Sequence, residues 1–592
     1  MTARPIRSVL IANRGEIAVR IARACREMGI RSVAVYSDAD AGAVHVQRAD
    51  AAVRIGPPSA SQSYLDIGAL IAAAREADAD AVHPGYGFLS ENEAFPRACA
   101  EAGLIWIGPP ADVIARMGSK IMARRLMEGA GVPVVAGVTP SDQTDEGVLA
   151  AVRTLGFPAL VKASEGGGGK GMRALHDESA AVEMIAAARR EALAAFGDGR
   201  LYVERLIDKP RHVEIQIFAD AHGNVVHLFE RECSLQRRHQ KVIEESPSPA
   251  LTPQTRARMG EAAVAAARAA GYRNAGTIEF LVEGEGDAAR FYFLEMNTRL
   301  QVEHPVTEAV TGLDLVRTQI AVAAGEPLPW TQAALTQRGH AVECRVYAED
   351  PASGFLPQAG TIETYREPAG EGIRVDAGVA AGATVSVHYD PLLAKLIAFA
   401  ETRDAALDRA ADALRHYEIT GIRTNIAFLV QLLQQDAVRR GRTHTQFIET
   451  HLDEILRAEA PLETTPMDPW LALQEWGRWQ LTGADRAPRT ADSGRRTADS
   501  GRRTADGARR TADGGQRTGS RRDGSLAAPM PATVLRIQTA PGQTVKRGDT
   551  LLILEAMKME LPVRAPSDGV VKAVRCSEGE LVQSGIPLIE MQ

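Results

Sequence analysis

The chain has 592 residues, a formal net charge of −7, 45% hydrophobic and 24% charged residues. That length exceeds the roughly 250 to 300 residues at which a single core stops growing, so several domains are expected. The acidic balance argues against a general nucleic-acid binder, and no stretch approaches the roughly 18 apolar residues of a membrane span.

Residues 1–115 alternate strand and helix signals. Arg4 and Arg7 lead into Ser8-Val9-Leu10-Ile11-Ala12, too short for a signal-peptide core and suited to a buried first strand. A helix over 15–28 and strands over 32–36, 81–83 and 105–107 predict an open parallel sheet flanked by helices. The first strand-to-helix turn, Asn13-Arg14-Gly15-Glu16-Ile17, holds one glycine, which argues against a dinucleotide site. Ile11-Ala12-Asn13-Arg14-Gly15-Glu16-Ile17-Ala18, followed by His83-Pro84-Gly85-Tyr86-Gly87-Phe88-Leu89-Ser90-Glu91-Asn92, resembles the opening of biotin carboxylases. The resemblance continues to about residue 450 and resumes near 525.

Within 116–325, a helix after Gly118-Ser119-Lys120 leads to Gly131-Val132-Pro133, and a buried strand over 157–163 runs into Gly166-Gly167-Gly168-Gly169-Lys170-Gly171-Met172. Such a glycine run lets backbone N–H groups approach phosphate closely. Lys170 is followed by Gly171 and another strand rather than by Ser or Thr and a helix, so this is no Walker loop. Strand, glycine hairpin, strand resembles the phosphate-covering loop of the ATP-grasp fold, whose lid would span about 135–205. The resemblance implies that Lys120 and Lys162 contact phosphate, with Gly167, Gly168, Gly169, Gly171 and Met172 in the covering loop. It also implies that the segment 201–205 offers its backbone to adenine, beside Glu204, Arg205 and Ile207, with Glu204 near the adenine amino group or the ribose.

Residues 211–217 alternate polar and apolar, predicting a half-buried strand with His212 and Glu214 on one face. The run Arg237, Arg238, His239 and Lys241 concentrates positive charge, which must be solvated or face an anion. The family resemblance implies nucleotide contacts for His212, Gln236 and His239, and places Lys241 at bicarbonate and phosphate. Five scattered cysteines without Cys-x-x-Cys spacing imply a reducing, cytoplasmic compartment without disulfides or structural zinc, and Cys233 is expected to be a buried thiol.

Residues 276–282 and 291–297 flank the turn-rich Glu283-Gly284-Glu285-Gly286-Asp287, predicting a hairpin with one carboxylate, Glu279 or Glu295, inside each apolar strand. Two buried carboxylates facing each other need a cation. Oxygen ligands, with Asn297 as a third, fit Mg²⁺ or Mn²⁺ together with nucleotide phosphates. Arg299 presents a planar fork suited to bicarbonate, with Gln301 and the Val302 backbone beside it. The resemblance implies that Glu303 is the base that deprotonates bicarbonate for attack on the γ-phosphorus. Arg345 would then stabilise the developing ureido oxygen of biotin, with Tyr86 in the same pocket; an ion pair from Arg345 to Glu343 or Glu349 is the open alternative. Residues 335–450 finish this unit as an α+β lobe of structural character.

Residues 451–483 form a connector holding Trp470, Trp476 and Trp479, which could dock a partner or fold back. Residues 484–524 carry a seven-residue Arg/Thr/Ala/Asp repeat without apolar a and d positions, expected to be a disordered linker. In 525–592, Ala528-Pro529, Gly542, Val545, Gly548 and Leu551 recur 37 positions later as Ala565-Pro566, Gly579, Val582, Gly585 and Leu588. This repeat predicts an all-β flattened barrel of two quasi-equivalent halves, with Lys558 exposed on a tight hairpin at the seam. Ala556-Met557-Lys558-Met559 resembles the biotin attachment motif of biotin carrier domains.

The resemblance therefore implies an α/β ATP-grasp biotin carboxylase fused to a carrier that bears covalent biotin on Lys558, with ATP, Mg²⁺ and bicarbonate. It resembles the compact actinobacterial acyl-CoA carboxylase α chains. Implied partners are a biotin protein ligase and a separate carboxyltransferase β subunit, in a hetero-oligomer containing copies of this chain, with no nucleic acid and no membrane. Rival readings are an ATP-grasp carboxylate–amine ligase with a lipoylated or regulatory carrier, and a non-catalytic biotinylated scaffold.

Overall fold

Ser8–Ile11 (β1) is buried along its whole length, as a parallel strand covered on both faces must be. It lies in the computed structural model, which describes residues 4–164, 171–457, 525–557 and 559–592. Lys558, Gly167, Gly168 and Gly169, the connector tryptophans and the repeat linker lie outside the described residues. Arg31–Ser37 (β2), Ala51–Gly56 (β3), Ala81–His83 (β4) and Ile105–Trp106 (β5) complete a sheet ordered β3-β2-β1-β4-β5, every pair parallel. Helix α1 (Gly15–Glu27) starts at the turn after β1 and packs Ile17, Ala18 and Ile21 into the shared core. The expected open parallel sheet is present.

Gly137–Val138 (β6), Ala159–Ala163 (β7), Arg173–Leu175 (β8) and Leu201–Arg205 (β9) form an antiparallel sheet ordered β6-β9-β7-β8. Helices Asp145–Leu155 and Ala181–Phe196 back it through Val148, Val152, Ile185 and Ala188. One expectation changes here. Strand β9 is interior, its backbone paired to both β6 and β7, so residues 201–205 are not an open edge for adenine.

Arg211–Ala219 (β10), Val225–Arg237 (β11), Gln240–Ser246 (β12), Asn274–Glu283 (β13), Arg290–Asn297 (β14) and His340–Tyr347 (β15) join strands Leu392–Ala400 and Ile373–Ala377 in one antiparallel eight-stranded sheet. This sheet runs continuously from the segment 116–325 into the lobe over 335–450. Residues 211–217 were expected to be half-buried; β10 is instead buried throughout. Val213, Ile215 and Ile217 share a core with Met259, Ala263 and Ala266 of helix Pro253–Ala270, while the alternating positions carry the polar His212, Glu214 and Gln216. On that charged face Glu295, Glu279, Glu214 and Arg231 are successive cross-strand neighbours, and farther along so are Arg345, Lys395 and Asp376. Residues that alternate along each strand and align across it share one face, so these charges converge.

The C-terminal unit consists of two four-stranded antiparallel sheets, each drawing strands from both sequence repeats. The repeat extends to the backbone. Gly542, Gly548, Gly579 and Gly585 all take φ between 81° and 93°, a region open to glycine. The Gly548 N–H donates to the Ala565 carbonyl and the Gly585 N–H to the Ala528 carbonyl, both at 2.8 Å. Strands Thr550–Ala556 and Met559–Arg564 pair up to Ala556↔Met559. The expectation of an exposed seam fails at Met557. Its side chain is 2% exposed among Ala348, Ile362, Val385 and Leu393 of the lobe over 335–450, and its N–H donates to the Val387 carbonyl at 3.0 Å. An apolar side chain at a hairpin tip gains more from another domain's apolar surface than from water. Among the described residues no helix is long and apolar enough to cross a membrane.

Candidate active site

Two cavities meet on the charged face of the large sheet. The first, about 410 Å³, is lined by Lys120, Lys162, Met172, Glu204, Arg205, Ile207 and Gln236, with the apolar residues Leu160, Leu281 and Leu294. The second, about 490 Å³, is lined by Tyr86, Lys241, Asn297, Arg299, Gln301, Val302, Glu303 and Arg345. His212, His239, Glu279 and Glu295 line both. Gly171 lines neither; its left-handed backbone lies where a Cβ would sit 3.1 Å from that of Ala163.

In the first cavity, Lys162 is 5% exposed and pairs with Glu204 at 2.5 Å. Glu204 also accepts from Arg124 at 2.9 Å, so its carboxylate is held by cations rather than turned to a base or ribose. Burial alone would discharge the ammonium, but the hydroxyl-bearing ring of Tyr202 and the carboxylate of Glu204 keep Lys162 firmly charged. Arg205 points outward to Glu283 at 3.0 Å, and Ile207 follows the strand at the cavity wall.

His239 reaches the junction because of a local turn. Arg237 and Gln240 pair across β11 and β12, leaving Arg238 and His239 as a two-residue connection with φ of 48° and 65°. Such turns match strand twist but cost non-glycine residues strain. The cationic run therefore divides. Arg237 is buried against Glu349 and stacks on Phe355 at 4.0 Å, while Lys241 turns into the second cavity. Cys233 is buried, and burial pushes its thiol well up, consistent with an inert role.

At the centre of the second cavity, Lys241 Nζ lies 2.6 Å from Glu214, 2.9 Å from Glu279 and 2.6 Å from Glu303. Arg345 reaches Glu303 at 2.9 Å and donates through Nε to Glu244 at 2.6 Å. The proposed pairing of Arg345 with Glu343 or Glu349 is thus replaced by Glu244 and Glu303; Glu349 is taken by Arg237. Burial opposes ionisation of Glu303, yet Lys241 and Arg345 outweigh it and hold the carboxyl well below its usual range. Arg299 donates to Glu91 at 2.9 Å and to the Asn297 side-chain oxygen at 3.1 Å. Arg231, fully buried, fixes Glu214 at 2.5 Å and also donates to Gln216, Thr277 and Thr307.

Glu279 and Glu295 are directly paired across β13 and β14, as the hairpin predicted. Burial would raise Glu279, but Lys241 and His212 hold it low; Glu295 is raised by burial and by the charge of Glu279. This opposed pair fits a divalent cation, which would relieve the repulsion Glu295 feels, and the set of hard oxygens suits Mg²⁺. Asn297 currently turns its amide nitrogen to Glu279 at 2.8 Å, so its oxygen would join such a site only by a flip. His212, Glu214 and Glu279 also cluster within 4.8 Å, but Lys241 and Arg231 already neutralise that group.

Sequence reasoning assigned no role to Glu91, Glu214, Arg231 or Glu244. The strand alternation placed Glu214 beside His212, a usable signal; the others depend on pairings distant in the chain.

Four family models match. Biotin carboxylase, N-terminal domain covers 5–114; Carbamoyl-phosphate synthase L chain, ATP binding domain covers 119–331; Biotin carboxylase C-terminal domain covers 343–450; Biotin-requiring enzyme covers 524–591. The methylcrotonoyl-CoA carboxylase subunit alpha of Rattus norvegicus, mitochondrial, is 40% identical over 99% of this chain and 93% of its own length. Its Oryza sativa counterpart is 50% identical over 76% of this chain, an alignment spanning only 61% of that protein. The biotin carboxylase of Halalkalibacterium halodurans is 50% identical over 75% of this chain and 98% of its own length. A solved biotin carboxylase domain of Hydrogenobacter thermophilus 2-oxoglutarate carboxylase, in complex with MgADP, ADP and bicarbonate, superposes with TM-score 0.73 at 44% identity, covering 76% of this chain and 98% of that one.

Proposed function

The chain belongs to the biotin carboxylases, here continuous with a biotinyl carrier domain, and from that premise we propose that it uses ATP and bicarbonate to carboxylate biotin held on Lys558. The observation that carries this reading is the junction of two cavities at His212, His239, Glu279 and Glu295. The apolar-walled cavity with Lys120 and Lys162 suits a nucleotide whose terminal phosphate points at the junction. The basic cavity with Arg299 and Lys241 suits the bicarbonate that meets it.

In this reading Glu303 takes the bicarbonate proton. Lys241 and Arg345 keep it ionised while the cavity holds no anion, and an anion that draws those cations toward itself raises its basicity. Arg299, Gln301 and the Val302 backbone orient the nucleophile, and Lys241 offsets charge accumulating on the transferring phosphoryl oxygens. Mg²⁺ or Mn²⁺, held by Glu279 and Glu295, would supply charge neutralisation at the phosphates. Arg345 then faces the ureido oxygen of biotin, the substrate of this half-reaction, beside Tyr86.

The carboxylated carrier serves a carboxyltransferase β subunit on a separate chain, which selects the acyl-CoA, acetyl-CoA or propionyl-CoA in this reading. A biotin protein ligase modifies Lys558, and copies of this chain assemble with the β subunit. The five free cysteines support a cytoplasmic site; two relatives carry "mitochondrial" in their names. Purified protein should release ADP continuously only when bicarbonate and free biotin are both present, its own biotin drawing a single equivalent in bicarbonate alone. Release that ignores biotin and follows an added amine would replace this reading with a carboxylate–amine ligase.

A further inference from the structure

Lys395, in strand Leu392–Ala400, is 0% exposed, and no step above uses it. Its Nζ donates to the Val302 carbonyl at 2.8 Å and lies 3.3 Å from Glu16 and 3.9 Å from Asp376. A buried ammonium is costly to desolvate, whereas methionine would fill the same space without that cost. Asp376 is already held by both arms of Arg374, at 3.0 and 2.6 Å, while the buried Glu16 has Lys395 as its ion-pair partner. The shortest of the Lys395 contacts is to the carbonyl of the peptide between Val302 and Glu303.

Its cross-strand neighbour is Arg345, whose guanidinium holds the Glu303 side chain at 2.9 Å. Two adjacent cations on one sheet face thus grip the same residue pair, one by side chain and one by backbone. Resting on the function proposed above, we infer that Lys395 is a positioning residue for bicarbonate: it fixes the Val302–Glu303 peptide so that the bicarbonate-facing backbone and the base keep their mutual geometry. Misplacement of reacting groups by about 1 Å can cost on the order of a hundredfold in rate.

The test uses the full-length biotinylated chain, with ADP release measured against bicarbonate and against ATP at saturating free biotin. Lys395→Met should raise the KM for bicarbonate by about tenfold or more, the scale of a lost charged hydrogen bond, and leave the KM for ATP within about twofold. Asp376→Asn is the control for mere destabilisation: it should lower the melting temperature and leave both KM values in place. If Lys395→Met does not fold, Lys395→Gln is measured in the same way, with the same direction expected. An unchanged bicarbonate KM in the folded variant, or equal rises for both substrates, overturns the inference. Wild-type protein lacking bicarbonate-dependent ADP release would instead overturn the parent reading.

Discussion

Glu279 on β13 stands directly across from Glu295 on β14, and both carboxylates line the two cavities at once. Glu279 is buried and Glu295 half-buried, and like charges in register there are unfavourable without a cation between them. Glu295→Gln should therefore raise the Mg²⁺ concentration for half-maximal ADP release by about tenfold. Thermal melts give a second readout: the stabilisation that wild type gains from Mg²⁺ with ADP should shrink in the variant.

Glu303 sits between Lys241 and Arg345, so Glu303→Gln removes the proposed base and leaves both cations in place. Bicarbonate-dependent ADP release should fall by at least about a hundredfold, the lower end of the range for general-base loss. Intact mass should still show biotin on the chain, since the carrier fold is separate from this site.

Met557 is packed into the lobe through Val385 and its neighbours. Val385→Asp places a charge in that socket. Carboxylation of the tethered biotin should drop by about tenfold, as one well-packed apolar anchor is lost, while the rate with free biotin stays at the wild-type level. Equal losses with both acceptors would remove the docking role of Met557.

Glu308 is buried between Arg20 at 2.9 Å and Arg374 at 2.7 Å. Burial opposes its charge, but Arg20, His304 and Arg374 depress its carboxyl to about 2. A depressed carboxyl contributes stability above its unfolded value near 4.5 and loses it as pH falls toward 2. Glu308→Gln should thus cost about 3 kcal/mol at pH 7, and its melting temperature should converge on wild type between about pH 4.5 and pH 2.

The parts of the site written within one hairpin were legible in the chain. A short turn forces Glu279 opposite Glu295, and the 37-residue repeat forces matched glycine turns. Contacts closed by tertiary folding were not. Arg299 meets Glu91 across 208 positions and Arg345 meets Glu244 across 101, distances over which local pattern carries no register. The alternation in residues 211–217 correctly grouped His212 with Glu214 but misjudged exposure, because polar positions that serve a buried site look like solvent-facing ones. Met557 was misread for the converse reason: an apolar residue at a hairpin tip gives no sign that another domain covers it.

Carboxylation by this chain of the biotin on its own Lys558 can be measured directly. Purified full-length protein is incubated with MgATP and radiolabelled bicarbonate, separated rapidly from free label, and counted beside Lys558→Arg and Glu303→Gln. Label should remain with the streptavidin-binding wild type and be absent from both variants. A biotinylated wild type that takes up no label, or a Lys558→Arg chain that labels as well as wild type, would contradict the account.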